Sequence, residues 1–156
     1  MIKCTRAKIL LDDIDVAVKK IKGFRSASEL EKSYLAKFLV VYMFGNYEEA
    51  IESIFIERMS ALGSKRVDKY FVKRMHDSFR NPDFGTVVGL LGLFDDKWVE
   101  KINKLPTKVK GGLNHISEKK NEMAHGLPCE VTLNEVIAEY KSSKKVIEAV
   151  DRIVKF

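Results

Sequence analysis

The chain has 156 residues, 46% hydrophobic and 32% charged, with three prolines, nine glycines and a formal net charge of +6. That balance suits one domain, spanning 1–156, able to bury a core, and argues against a disordered chain. The positive balance is compatible with nucleic acid or acidic partners but identifies no ligand by itself.

Met1 to Arg6 is followed by Asp12, Asp13 and Asp15, a pattern that does not fit a signal peptide. Cys4 and Cys129 show no CxxC spacing, so they read as buried or incidental thiols rather than zinc ligands or a disulfide framework. The most apolar run, Tyr34 to Tyr47, is too short to span a bilayer and contains Lys37. A cytoplasmic protein is expected.

From about Ala7 to Lys22, residues Ile9, Leu10, Ile14, Ala17, Val18 and Ile21 recur at helical spacing, and Gly23 ends the element. Ser28 with Glu31 forms a capping-box signature that opens a helix running to about Leu62. Between Leu35 and Phe44 this helix is apolar almost all round, as in a central or interface helix, and Gly45 either loosens it or permits close packing. A helix from Lys65 to Phe79 carries Val67, Tyr70, Phe71, Met75 and Phe79 as its apolar stripe.

Asn81-Pro82-Asp83 marks a loop before the short apolar segment Phe84 to Phe94. Asp95 or Asp96 caps a short helix to about Lys104, and Pro106-Thr107 precedes a helix to about Met123 whose start Gly111-Gly112 weakens. Thr132 and Glu135 repeat the capping box before a final helix carrying Leu133, Val136, Ile137, Tyr140, Val146, Ile147, Val150 and Ile153. No strand pattern, internal repeat or linker competes. The prediction is an all-α, up-and-down helical bundle.

The chemistry concentrates in Lys120-Asn121-Glu122-Met123-Ala124-His125-Gly126. Asn121 and Glu118 lie four and seven residues before His125, so all three share one helical face. Lys120 lies about 140° away on an ideal helix. Cation and imidazole therefore converge only if the helix distorts near Gly126 or a second subunit contributes. Two readings stay open: a phosphate-cleaving site, and a plain helix end where His125 favours the dipole and Gly126 supplies the C′ conformation. His76, beside Asp77, reads as structural. His115 sits about 80° from His125 and makes no joint metal site. No glycine-rich phosphate loop, HExxH or GxSxG occurs, so neither cofactor nor metal is expected.

This string resembles the HEPN superfamily, most closely its RiboL-PSP-type branch, whose hallmark is Arg, a polar residue, a short spacer and His, often RNxxAHG. The upstream helix containing Tyr47-Glu48 and the Val131-Thr132-Leu133 start of a closing helix with Tyr140 agree with it. The resemblance implies a helical bundle that forms a homodimer and joins two motifs across a shared cleft. It implies a metal-independent RNA endonuclease that cleaves by 2′-hydroxyl attack. His125 is then general base or acid, Asn121 orients it or binds phosphate, Lys120 stabilises phosphoryl charge, and Glu48 and Glu118 are supporting residues. Such proteins often serve as toxins, with an antitoxin partner, or in phage defence. Lys120 keeps the charge of the family's arginine but not its bidentate fork. The alternative is a catalytically inactive HEPN module that dimerises and binds a partner protein or nucleotide.

Overall fold

The structure, a computed structural model, describes residues 2–24, 28–61, 63 and 65–154. Among the described residues there are seven helices and no strand: α1 (Thr5–Lys22), α2 (Glu29–Ser60), α3 (Lys65–Ser78), α4 (Phe84–Gly92), α5 (Asp96–Asn103), α6 (Thr107–Ala124) and α7 (Leu133–Ile153). Local chemistry sets many of the ends. Ser28 and Thr132 each accept the backbone N–H three residues on, while Glu31 and Glu135 reach back to complete both capping boxes. Such a cap contributes about 1 kcal/mol. Asp95, rather than Asp96, caps α5. The predicted end of α2 at Leu62 falls outside the described residues; the helix stops at Ser60.

Helix α2 is central, packing on α1, α3, α6 and α7, while α6 lies along α7. Cross-helix contacts give the directions. Tyr47 meets Ser143 and Arg58 meets Asp151, so α2 and α7 run parallel. Tyr140 meets Asp15 whereas Cys4 meets Asp151, so α1 runs against α7, and Gly112 beside Ser142 with His115 opposite Glu139 shows α6 doing the same. The four long helices thus alternate up and down. One apolar core extends from Cys4 to Val154 and includes Leu11, Ile14, Leu39, Met43, Phe55, Leu113 and Ile147. The turn between α4 and α5 joins it through Phe94, whose ring lies 5.2 Å from Phe55 and 6.1 Å from Trp98.

Two polar clusters within this core are held by hydrogen bonds. Tyr47 and Ser143, both fully buried, share a 2.8 Å hydrogen bond. Buried Asp151 accepts the backbone N–H groups of Lys3 and Cys4 at 2.6 and 3.0 Å, tying the N-terminus to the end of α7. Cys4 and Cys129 are buried free thiols, and burial pushes the Cys4 thiol up to about 11.

Three expectations need correction. Gly111-Gly112 does not weaken α6, which runs unbroken through both; at Gly112 a Cβ would stand 2.8 Å from that of Ser142, so only glycine lets α6 approach α7 this closely. Val67 and Tyr70 are exposed, leaving Phe71, Met75 and Phe79 to anchor α3, and Ile9 of α1 likewise faces outward while Leu11 is buried instead. Gly45 interrupts nothing and packs against nothing: α2 is continuous there, with no atom within 4 Å of where a Cβ would be. Among the described residues, no helix is long and apolar enough to cross a membrane.

Candidate functional site

The string from Lys120 to Gly126 is the last turn of α6 and its stop. The N–H of Leu127 bonds the carbonyl of Glu122 at 2.9 Å and that of Gly126 bonds Met123 at 3.2 Å, while Gly126 takes a left-handed φ of 66°. This is a Schellman closure, and His125 is its C-cap. The helix-end reading is therefore correct as geometry. It does not displace the chemical reading, because the closure is what presents the imidazole: His125 is exposed and its ring makes no hydrogen bond with the described residues.

His125 lines an open groove of about 700 Å³ together with Asn121, Glu118, Asn114, Ser117 and Asp83. The shared face expected for His125, Asn121 and Glu118 exists, but Asn121 does not bond the imidazole within one chain. Its Oδ1 instead lies 3.4 Å from Lys120 Nζ. Asp83 caps α4, and Glu122 pairs with Lys119 at 2.9 Å, which holds the Glu122 carboxyl below its usual range.

Lys120 turns to the α2 side. Its ammonium sits 4.5 Å from the centroid of the Phe44 ring and donates to Asn81 Oδ1 at 2.9 Å. A ring face and two amide oxygens thus hold one cation. Glu48, on the next turn of α2, is half-buried; burial raises its pKa, while Arg80 and Lys120 oppose that rise. Glu48 and Arg80 line a smaller groove of about 270 Å³ with Gly45, Glu49, Glu52 and His76. His76 is not a free surface side chain: its Nδ1 lies 2.9 Å from Glu52 Oε2. Burial raises the Glu52 pKa against the opposing influence of His76.

One chain thus brings together Glu118, Asn121 and His125 on one side and Glu48 with Lys120 on the other, with Asn121 touching both groups. Phe44, Asn81 and Arg80 were not singled out from sequence. Phe44 is hidden in a run apolar on all sides. Asn81 was legible only as a turn residue, since its contact with Lys120 spans 39 positions. Among the described residues no group of His, Cys, Asp or Glu is placed to hold a metal ion.

A family model described as RiboL-PSP-HEPN matches residues 6–155. The chain belongs to the RiboL-PSP-HEPN family. The match takes in nearly all of the chain, including the motif at the end of α6, and a HEPN domain is all-α, as this bundle is. HEPN domains commonly bind RNA and dimerise. Comparison with curated proteins and with solved structures returned no match.

Proposed function

We propose that this HEPN protein is a metal-independent RNA endonuclease whose active site is completed by a second copy of the chain. The observation that carries the reading is the Schellman closure, which holds an exposed, unbonded imidazole in an open groove beside Asn121, itself the neighbour of Lys120 and its caged ammonium. In the proposed reaction an RNA 2′-hydroxyl loses its proton to one imidazole as its oxygen bonds the adjacent phosphorus. The P–O5′ bond breaks, the leaving oxygen takes a proton from an acid, and the products carry a 2′,3′-cyclic phosphate and a 5′-hydroxyl. His125 serves as base or acid, a role worth about 10²–10⁴ in rate. Lys120 offsets the charge growing on the phosphoryl oxygens, and Asn121, which borders both groups, binds phosphate or orients the ring. Glu48 and Glu118 support Lys120 and His125 respectively.

The separation of Lys120 from the His125 groove supports the two-copy site, since the facing motif of a homodimer supplies the missing partner. In the cell we place the enzyme in the cytoplasm, as a toxin held by an antitoxin partner or as a phage-defence effector. A second reading has its own support: Asp83, Glu118 and Glu122 make the groove acidic, which suits a catalytically inactive HEPN module binding the basic surface of a partner protein rather than the phosphates of a nucleotide.

The test is incubation of RNA with the purified protein in EDTA beside His125→Ala. We expect cleavage with 2′,3′-cyclic phosphate ends, reduced at least 100-fold in the variant. Equal cleavage by both proteins removes His125 from the mechanism. A folded dimer that cuts no RNA favours the binding module.

A further inference from the structure

Helix α2 leaves one apolar stripe uncovered. Tyr34, Phe38 and Val41 are 64%, 54% and 53% exposed, Tyr42 stacks on Phe38, and Gly45 continues the same line. On an ideal helix positions 34, 38, 41 and 45 fall within about 60° of arc. Two half-exposed aromatics with Val41 and Leu30 beside them present roughly 400 Å² of apolar surface, at the upper range for a monomer and about half of one side of a standard interface.

The spacing of the stripe identifies the occupant. Its steps of four, three and four residues read the same from either end. Two such helices running antiparallel, with a two-fold axis passing between Leu39 and Val40, set Phe38 against the second copy's Val41 and Tyr34 against its Gly45. Isologous pairing of this kind requires each position to meet its mirror position. It also accounts for Gly45. A glycine inside a helix costs about 0.5–1 kcal/mol relative to alanine, and nothing in the chain lies within 4 Å of the missing Cβ. Opposite a tyrosine ring the absent side chain becomes a hollow.

We propose that Tyr34, Phe38, Val41 and Gly45 form a self-complementary face on which α2 of a second copy docks antiparallel. This deepens the two-copy reading above and rests on it only for the catalytic consequence. That consequence follows from position. Lys120 lies over Phe44, and Cys129, just beyond the motif, lines a groove with Lys37. The stop of α6 is thereby flanked by Lys37 and Phe44, which bracket the proposed axis, so the pairing sets the two motif ends across the two-fold from each other.

Sedimentation equilibrium on the full chain tests the face without RNA. The wild type is expected to be a dimer, and Phe38→Glu and Gly45→Glu to weaken association at least tenfold with unchanged helical circular dichroism. Gly45→Glu replaces a helix-weakening residue by a helix former, so loss of dimer there is not loss of fold. Val16→Glu, at an exposed position of α1, leaves the dimer intact. A short bismaleimide should link Val41→Cys, near the axis, and fail to link Val16→Cys, with the wild type and its two buried thiols as background. A wild type monomeric at high concentration overturns the proposal, as does a dimer that both glutamate variants leave unweakened. A dimer broken by these variants yet inactive on RNA keeps the face and removes only the nuclease reading.

Discussion

Lys120 Nζ lies 2.9 Å from Oδ1 of Asn81, a residue that holds a left-handed backbone at φ 55°. For a residue with a Cβ that conformation costs about 1–2 kcal/mol, and such strain gathers where a side chain must be aimed. Asn81 is the only non-glycine with positive φ among the described residues, and its amide points at the cation of the motif.

On the nuclease reading this makes Asn81 a positioning residue. Asn81→Gly keeps the turn and removes the amide, so it should lower kcat several-fold with KM little changed and stability held within about 0.5 kcal/mol. Asn81→Ala loses the same activity and about 1 kcal/mol of stability besides. Lys120→Ala should cost about 10²–10³ in rate, while Lys120→Arg retains activity because the guanidinium can stack on Phe44 and adds a fork for phosphate. Wild-type kinetics in Asn81→Gly would show that the amide does not aim the ammonium.

The glycine pair of α6 should respond in opposite directions. At Gly112 a Cβ would meet Ser142 Cβ at 2.8 Å, Glu139 Oε2 at 3.0 Å and the backbone nitrogen of Ser143 at 3.1 Å. Gly112→Ala is expected to destabilise by about 1–3 kcal/mol through overpacking against α7. Gly111 has open space at the same point, so Gly111→Ala should stabilise by about 0.5–1 kcal/mol through helix propensity alone. Denaturant unfolding of the two variants decides it. Shifts of the same sign would mean that the close approach of α6 to α7 is not what Gly112 provides.

Asp15 supplies a pH test of the fold. Burial opposes its ionisation, but hydrogen bonds from Lys144 and Tyr140, both at 2.6 Å, outweigh it and hold its carboxyl below the usual aspartate range. A carboxyl lowered on folding adds stability above its unfolded value, and that contribution disappears as pH falls through the folded value. Asp15→Asn should therefore cost about 1 kcal/mol at neutral pH, an amount already reduced for screening at a half-exposed carboxylate. The difference in Tm from wild type should shrink below about pH 4. A gap that stays constant down to pH 3 removes the charge from the explanation.

Helix ends were legible in the sequence because caps are local: Ser28 with Glu31, Thr132 with Glu135, and Asp95 before α5 each act within four residues. Inside the helices, periodicity identified the buried face of α7 but could not tell that Val67, Tyr70 and Ile9 find no neighbour to cover them. That depends on where other helices stop. The motif showed the same division. The face shared by Glu118, Asn121 and His125 follows from helical spacing, as does the divergence of Lys120. The Phe44 ring and the Asn81 amide that hold Lys120 come from α2 and from the loop before α4, brought in by tertiary packing alone. Gly112 misled for a related reason, since its helix cost is written in the chain and the neighbour that requires it is not.

The hydroxyl pair of Tyr47 and Ser143 works as a stop against sliding. A core lined by interchangeable aliphatic side chains offers α2 and α7 nearly equivalent seats one helical turn, about 5.4 Å, apart. In any seat but this one the Tyr47 phenol would sit dry and unmatched, at about 1–3 kcal/mol, while Ser143 keeps its 2.8 Å bond to the Glu139 carbonyl of its own helix. Phe44, which lies beneath the motif's cation, is less than one turn from Tyr47 on the same rod, and Gly45 follows it. A single contact with no access to water therefore sets the longitudinal alignment of the aromatic floor under Lys120 with the outward stripe of α2.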